Sequence, residues 1–158
     1  MKIRALEAKD LPLLQALLRA QKHFHPRQIQ VAAELIEMAL EPPEPGDYRV
    51  RCLEASDGCL RGYICYGKAP LTDSVYDLYW IVVHPSFWHQ GMGSALLRHA
   101  EDDLRTLQAR LVLIETSSRK PYEMARSFYQ RHGYTLKAQI DDYFARGEHK
   151  LIYGKALI

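Results

Sequence analysis

The segment from Val75 to Thr116 constrains the fold most. Val75 to Val83 reads as a strand, and its apolar end, Trp80-Ile81-Val82-Val83, predicts burial on both faces within a sheet. Met92, Leu96, Leu97, Ala100, Leu104 and Leu107 then fall on one face of a helix. Arg110 to Thr116, with Leu111, Val112, Leu113 and Ile114, reads as a second buried strand. A strand, helix, strand crossover of this length joins parallel neighbours, which excludes an all-helical or purely antiparallel fold.

The flanking sequence supplies the other elements. Ile3 to Glu7 reads as a strand, and Asp10 caps a helix carrying Leu11, Leu14, Leu17 and Leu18 that ends near Gln21. Pro26 opens a second helix with Ile29, Ala32, Ala33, Ile36 and Leu40 on its apolar stripe, stopped by Pro42-Pro43, and Glu41 to Gly46 reads as a loop. Tyr48 to Ala55 and Cys59 to Lys68 flank Asp57-Gly58, a two-residue hairpin turn that would set Cys52 opposite Tyr63 and Cys65 opposite Val50. A helix from Pro121 to Arg131 ends at Gly133, and Tyr134 to Phe144 and His149 to Ala156 are the last strands. The expectation is an α/β fold, a mixed sheet of about seven strands with four helices, in one domain over residues 1 to 158.

Twenty-one Lys and Arg against nineteen Asp and Glu leave a net charge of +2, and no basic run exceeds Arg119-Lys120, so no nucleic-acid partner is expected. The longest apolar run, Leu78 to Val83, is far shorter than a membrane span, so no membrane partner is expected either. Three cysteines in strand-like segments, behind a start without a signal-peptide pattern, suggest buried thiols and a cytoplasmic location. No His, Cys or carboxylate spacing suggests a metal site.

Chemistry concentrates where the Val75 to Val83 strand meets the following helix. The loop His84 to Gln90 delivers Gly91-Met92-Gly93-Ser94 to the helix mouth, where backbone amides are unsatisfied and the helix dipole adds positive potential. A phosphate or diphosphate suits that end, and tight packing of two glycines is the alternative reading. A dinucleotide fingerprint would require a third glycine where Leu96 stands, and a P-loop would require Gly-Lys-Ser or Gly-Lys-Thr.

Two blocks carry a family resemblance. Ile81-Val82-Val83-His84-Pro85 followed by Gly91-Met92-Gly93-Ser94-Ala95-Leu96-Leu97, and Ala125-Arg126-Ser127-Phe128-Tyr129-Gln130-Arg131-His132-Gly133-Tyr134, resemble the acetyl-CoA motif and the Phe-Tyr signature of the GNAT family of N-acetyltransferases. The resemblance covers Tyr48 onward. Trp88 stands where the family usually carries Gln or Arg, so the amide cradle is what carries over. It implies a GNAT-like fold in which Ile81, Val82 and Val83 pair by main chain with the pantetheine arm of acetyl-CoA, and His89, Gln90, Gly91, Met92, Gly93 and Ser94 hold its diphosphate. Strands splaying beside this point would admit the thioester, with a main-chain amide near Val82 at its oxygen.

The resemblance also implies that Tyr129 protonates the departing sulfur. A packed tyrosine satisfied by backbone is the alternative. Glu115 is a carboxylate at the end of an apolar strand, which calls for a cleft or a partner. It resembles the base of the ribosomal-protein alanine acetyltransferase branch, and a salt bridge to a nearby Arg is the other reading. Asp77 and Tyr79 share one strand face and could line an amine site, as could Tyr143 near the tip between the last strands. The expected function is direct transfer of an acetyl group from acetyl-CoA to a primary amine of a small molecule or protein, with a noncatalytic acetyl-CoA sensor as the alternative. The acceptor stays open; the two N-terminal helices and the Ala69 to Ser74 loop are expected to select it. The resemblance leaves room for a homodimer.

Overall fold

The computed structural model describes residues 1–42, 44 and 47–158. Pro43, and with it part of the expected helix stop, lies outside the described residues, as do Pro45 and Gly46 of the expected loop. Seven strands form one sheet: β1 (Lys2–Ala5), β2 (Arg49–Glu54), β3 (Leu60–Lys68), β4 (Val75–Val83), β5 (Leu111–Ser117), β6 (Thr135–Ala145) and β7 (Glu148–Ala156), in the order β1-β2-β3-β4-β5-β7-β6. The α-helices are α1 (Leu11–Arg19), α2 (Pro26–Leu40), α3 (Met92–Thr106) and α4 (Glu123–Arg131). Only β4 and β5 run parallel, as the crossover requires; every other neighbouring pair is antiparallel.

The sheet separates two cores. Leu96, Leu97, Ala100 and Leu104 of α3 bury one face with Leu78, Val112, Ile114, Tyr129 and Tyr153. Leu14, Leu17 and Leu18 of α1 and Ala32 and Ile36 of α2 bury the other against Val50, Cys52, Tyr63, Cys65 and Val82. At the far edge every residue of β6 is exposed, including Leu136, Ile140, Tyr143 and Phe144.

Five expectations need correction. The hairpin loop has three residues, Ser56 to Gly58, with Gly58 at φ +80° and Asp57 accepting from the Cys59 amide at 2.9 Å. A bulge between Leu53 and Glu54 absorbs the extra residue, so Cys52 still faces Tyr63 and Cys65 faces Val50. Cys59 is exposed at the loop end of the hairpin, where its carbonyl accepts from the Ala55 amide at 2.9 Å; Cys52 and Cys65 are buried. Asp10 stands at the N-cap position of α1, but its side chain accepts from none of that helix's amides. Its carboxylate accepts from the Glu7 amide at 2.9 Å and takes the Arg4 guanidinium at 2.7 and 2.9 Å, while Arg4 also reaches Glu54.

The fourth helix begins later than expected, with a tight 3-10 turn over Lys120–Tyr122 before α4. Residues Trp80, Ile81 and Val83 of β4 are only half-buried, not covered on both faces, because β4 loses its neighbour β5 beyond Leu78.

Candidate active site

The turn into α3 has the form that its glycines suggest. Gly91 takes φ +79° at the cap, an L-residue's unfavourable region, and His89 two residues earlier takes φ +62°. Gly91 offers no side chain, and no described group accepts from the amides of Gly91, Met92, Gly93 or Ser94; the first helical bond is Ala95 N–H to the Gly91 carbonyl at 3.0 Å. Four donors and the positive helix end therefore converge on one exposed spot, which fits a diphosphate. Gly93 has a second duty, since a Cβ there would lie 3.4 Å from the Phe128 ring. The two sequence blocks thus meet in space, and the His132 Nε2 to Ser94 Oγ contact at 2.8 Å joins them again.

Trp88 pins the loop instead of reaching for an anion. Its indole N–H donates to the Val83 carbonyl at 2.8 Å, and the Gln21 side-chain amide donates to the same oxygen at 3.1 Å. Neither contact was legible in the sequence, where an indole donor and a helix-end glutamine carry no motif.

The crevice opens where β4 leaves β5. The parallel pairing runs from Val75 with Leu111 to Leu78 with Ile114 and stops, although both strands continue. In the β3 ladder Cys65 faces Trp80 and Tyr66 faces Leu78, so Tyr79 is an inserted bulge residue. The bulge sends Tyr79 and Trp80 together toward the α1–α2 core, while Ile81 and Val83 pack on the α3 side. His84 N–H bonds to the Arg61 carbonyl at 2.8 Å, and antiparallel alternation then commits the main chain of Val82 to β3 and turns Ile81 and Val83 toward the gap. Since the Val83 carbonyl is taken, the free groups of that edge are both of Ile81 and the amide of Val83.

Tyr129 is buried from α4, its ring 6.3 Å from Tyr134 and 6.4 Å from Tyr153, and its hydroxyl bonds to no described residue. Burial pushes the phenol well above its ordinary value, so it stays protonated and can donate.

The remaining candidates face the α1–α2 side of the sheet. Asp77 is half-buried and has no hydrogen-bonded or ionic partner among the described residues. Burial, then the negative charge of Glu115, raises its carboxyl above the usual range, against an opposing pull from Lys150. Burial likewise raises Tyr79 to about 12, and its ring lies 5.6 Å from Tyr48. Glu115 is exposed, and its partner is Lys150 at 2.9 Å instead of an arginine. The Lys150 ammonium also sits over the exposed Tyr143 ring, 4.5 Å from its centroid. This lysine was missed because it lies thirty-five positions beyond Glu115 and only the β5–β7 register brings them together.

The turn between α1 and α2 walls the open end of the crevice. His23 lies 5.4 Å from the Tyr122 ring and 6.5 Å from Trp88, Phe24 lies 5.5 Å from Trp80, and the Gln28 amide donates to the Tyr122 hydroxyl at 2.8 Å. The Ala69 to Ser74 loop instead joins β3 to the paired start of β4, away from the point where the strands part. No helix among the described residues is long and apolar enough to cross a membrane, and no cluster of three His, Cys, Asp or Glu is placed to hold a metal ion.

A helix mouth of open amides beside two parted parallel strands is the layout of an acyltransferase that uses acetyl-CoA as cosubstrate, and the family match shows the chain to be one. The acetyltransferase (GNAT) family model matches residues 13–134, and the chain belongs to that family. A GNAT-family protein from Desulfovibrio desulfuricans superposes with a TM-score of 0.93 at 32% identity, over 99% of each chain. The ribosomal-protein-S18-alanine N-acetyltransferase of Escherichia coli gives 0.78 at 20% identity, over 99% of this chain and 93% of that one. The PaiA N-acetyltransferase of Thermoplasma acidophilum, solved with coenzyme A, gives 0.75 at 18% identity over 98% of each chain. No curated protein sequence matches the chain.

Proposed function

We propose that the protein transfers an acetyl group from acetyl-CoA directly to a primary amine of a small molecule or a protein. The observation that carries this reading is the set of unpartnered amides at Gly91 to Ser94, set beside the gap between β4 and β5. Acetyl-CoA supplies an activated thioester.

The protein's own groups do the rest. The cradle fixes the diphosphate, Ile81 and the Val83 amide align the arm, and the Ile81 N–H donates to the thioester oxygen. Asp77 takes a proton from the incoming ammonium; it is unpartnered and half-buried, whereas Glu115 is held by Lys150. The neutral nitrogen bonds to the carbonyl carbon as the carbon–sulfur bond breaks, Tyr129 protonates the sulfur, and the nitrogen's second proton restores Tyr129. One proton is released overall.

A covalent acyl-cysteine route finds no support. Burial raises Cys52 and Cys65 to about 12, and Cys59 lies exposed just after the hairpin loop. The test is thiol release from acetyl-CoA by the purified protein across a panel of amino acids, diamines, aminosugars and peptide N-termini. Acceptor-dependent release supports the enzyme; tight acetyl-CoA binding with no release from any amine would favour a sensor.

A further inference from the structure

Two carboxylates on one face of a parted sheet pose a problem for proton transfer. Asp77 pairs in register with Leu113, and Glu115 stands two residues further along the same face of β5, just past the last paired residues, close enough for its charge to act on Asp77. Ionised carboxylates this close raise one another's proton affinity, and an unassisted pair shares the role of base between them. Here the symmetry is broken from β7. Lys150, opposite Ser117, folds back so that its ammonium meets Glu115 at 2.9 Å with the Tyr143 ring beneath it. The Lys150 side chain is largely enclosed while the Glu115 carboxylate stays open to water, so the shielding of the pair comes from the lysine side alone. Burial, the largest single influence, disfavours the ammonium, but the hydrogen bond and charge of Glu115 together with Tyr143 outweigh it, and the charge is retained.

We propose that Lys150 is a positioning residue of the acceptor pocket: with its ammonium over Tyr143 it holds Glu115 as a paired carboxylate and leaves Asp77 as the carboxylate free to accept the amine's proton. The inference rests on the reading of Asp77 as the base. The charged groups that act on Asp77 are Glu115 on β5 and Lys150 on β7; Tyr79 on its own strand stands between Asp77 and the Asp47–Tyr48 segment ahead of β2, Tyr143 on β6 backs Lys150, and β3 sets Gly67 opposite Asp77. Of these, Lys150 alone is cationic, so removing it exposes Asp77 to uncompensated negative charge.

The experiment follows the Asp77 carboxyl carbon by NMR during acid titration of the isolated protein, which needs no acceptor. Lys150→Met should move the Asp77 midpoint up by about one pH unit, Glu115→Gln should move it down, and the double variant should fall between them. Lys150→Arg should restore the wild-type midpoint. Opposite displacements from the two ends of one ion pair are not produced by a structural role. An Asp77 midpoint that stays in place or falls in Lys150→Met overturns the inference, provided the amide spectrum shows a folded protein. Asp77→Asn separates this from the base assignment: full turnover there would remove Asp77 as base, whereas the titrations judge Lys150 independently.

Discussion

At the scale of single residues, the structure separates side chains that share a type but not an environment. The three cysteines are one case: burial raises the thiols of Cys52 and Cys65, and Cys59 is open to solvent. A thiol reagent at pH 8 should modify one cysteine in the native protein, identified as Cys59 by peptide mapping, and three in denaturant. Fast modification of Cys52 or Cys65 in the native state would contradict the burial. Asp77 is a second case. Its carboxyl is raised, so the folded protein holds a proton that the unfolded chain releases, and stability falls as pH rises from the ordinary carboxylate value through the raised one. Asp77→Asn should therefore raise the Tm at neutral pH while lowering turnover at least tenfold. Unchanged or lower Tm would show that Asp77 has a stabilising partner. The spacing of Asp77 and Tyr79 on one strand face was legible in sequence; the raised proton affinity was not, because it comes from burial in the folded sheet and from Glu115 on another strand, against the pull of Lys150.

Among the elements, β4 and the turn into α3 carry the site. The crossover was readable because a helical apolar period sits between two strand-like runs, and the Gly-x-Gly cap was readable because glycine alone enters left-handed conformations freely. The bulge at Tyr79 and the end of β4–β5 pairing at Leu78 were not readable in the residues: Tyr79 and Trp80 look like any aromatic strand pair, and only the ladders reveal the insertion. Gly91 meets no atom within 4 Å where a Cβ would lie, so replacing it changes backbone preference alone. Gly91→Ala should cost about 1 kcal/mol in denaturant unfolding and weaken acetyl-CoA binding, with Gly91→Asn milder in both. Equal stability of wild type and Gly91→Ala would mean that the cap does not hold φ +79° in solution. The hairpin teaches the complementary lesson: its register was correct although its loop length was not, since a three-residue loop with a bulge leaves the same partners opposed.

For the molecule as a whole, the sheet's two ends are secured differently. At the β1 end the Arg4 guanidinium ties Asp10 to Glu54 across two strands and the first turn. That arrangement joins residues fifty positions apart and carries no sequence signature. The Arg4 hydrogen bond holds the buried Asp10 carboxyl below its ordinary value, against burial. Its contribution is present above the ordinary carboxylate range and is lost as pH falls through the lowered value. Asp10→Asn should cost about 2 to 3 kcal/mol at pH 7, less than a fully buried pair because Arg4 keeps Glu54, and the loss should shrink toward pH 3. A pH-independent loss would assign Asp10 a packing role only. The class of fold was legible because the crossover and the β2–β3 hairpin mark a mixed sheet, whereas the strand order and the open end of the crevice were not, since side chains such as Gln21, His23, Phe24 and Gln28 reach that end only once the chain is folded.

The central claim is that the exposed amides of the α3 turn grip the coenzyme's diphosphate. Isothermal titration of acetyl-CoA into wild type and Gly93→Glu tests it most directly, because the substitution brings negative charge into the cradle and a side chain against Phe128. The account predicts saturable binding to wild type and loss of at least a hundredfold in affinity for a folded Gly93→Glu protein, or about 2.7 kcal/mol. Retention of wild-type affinity in that variant would contradict it.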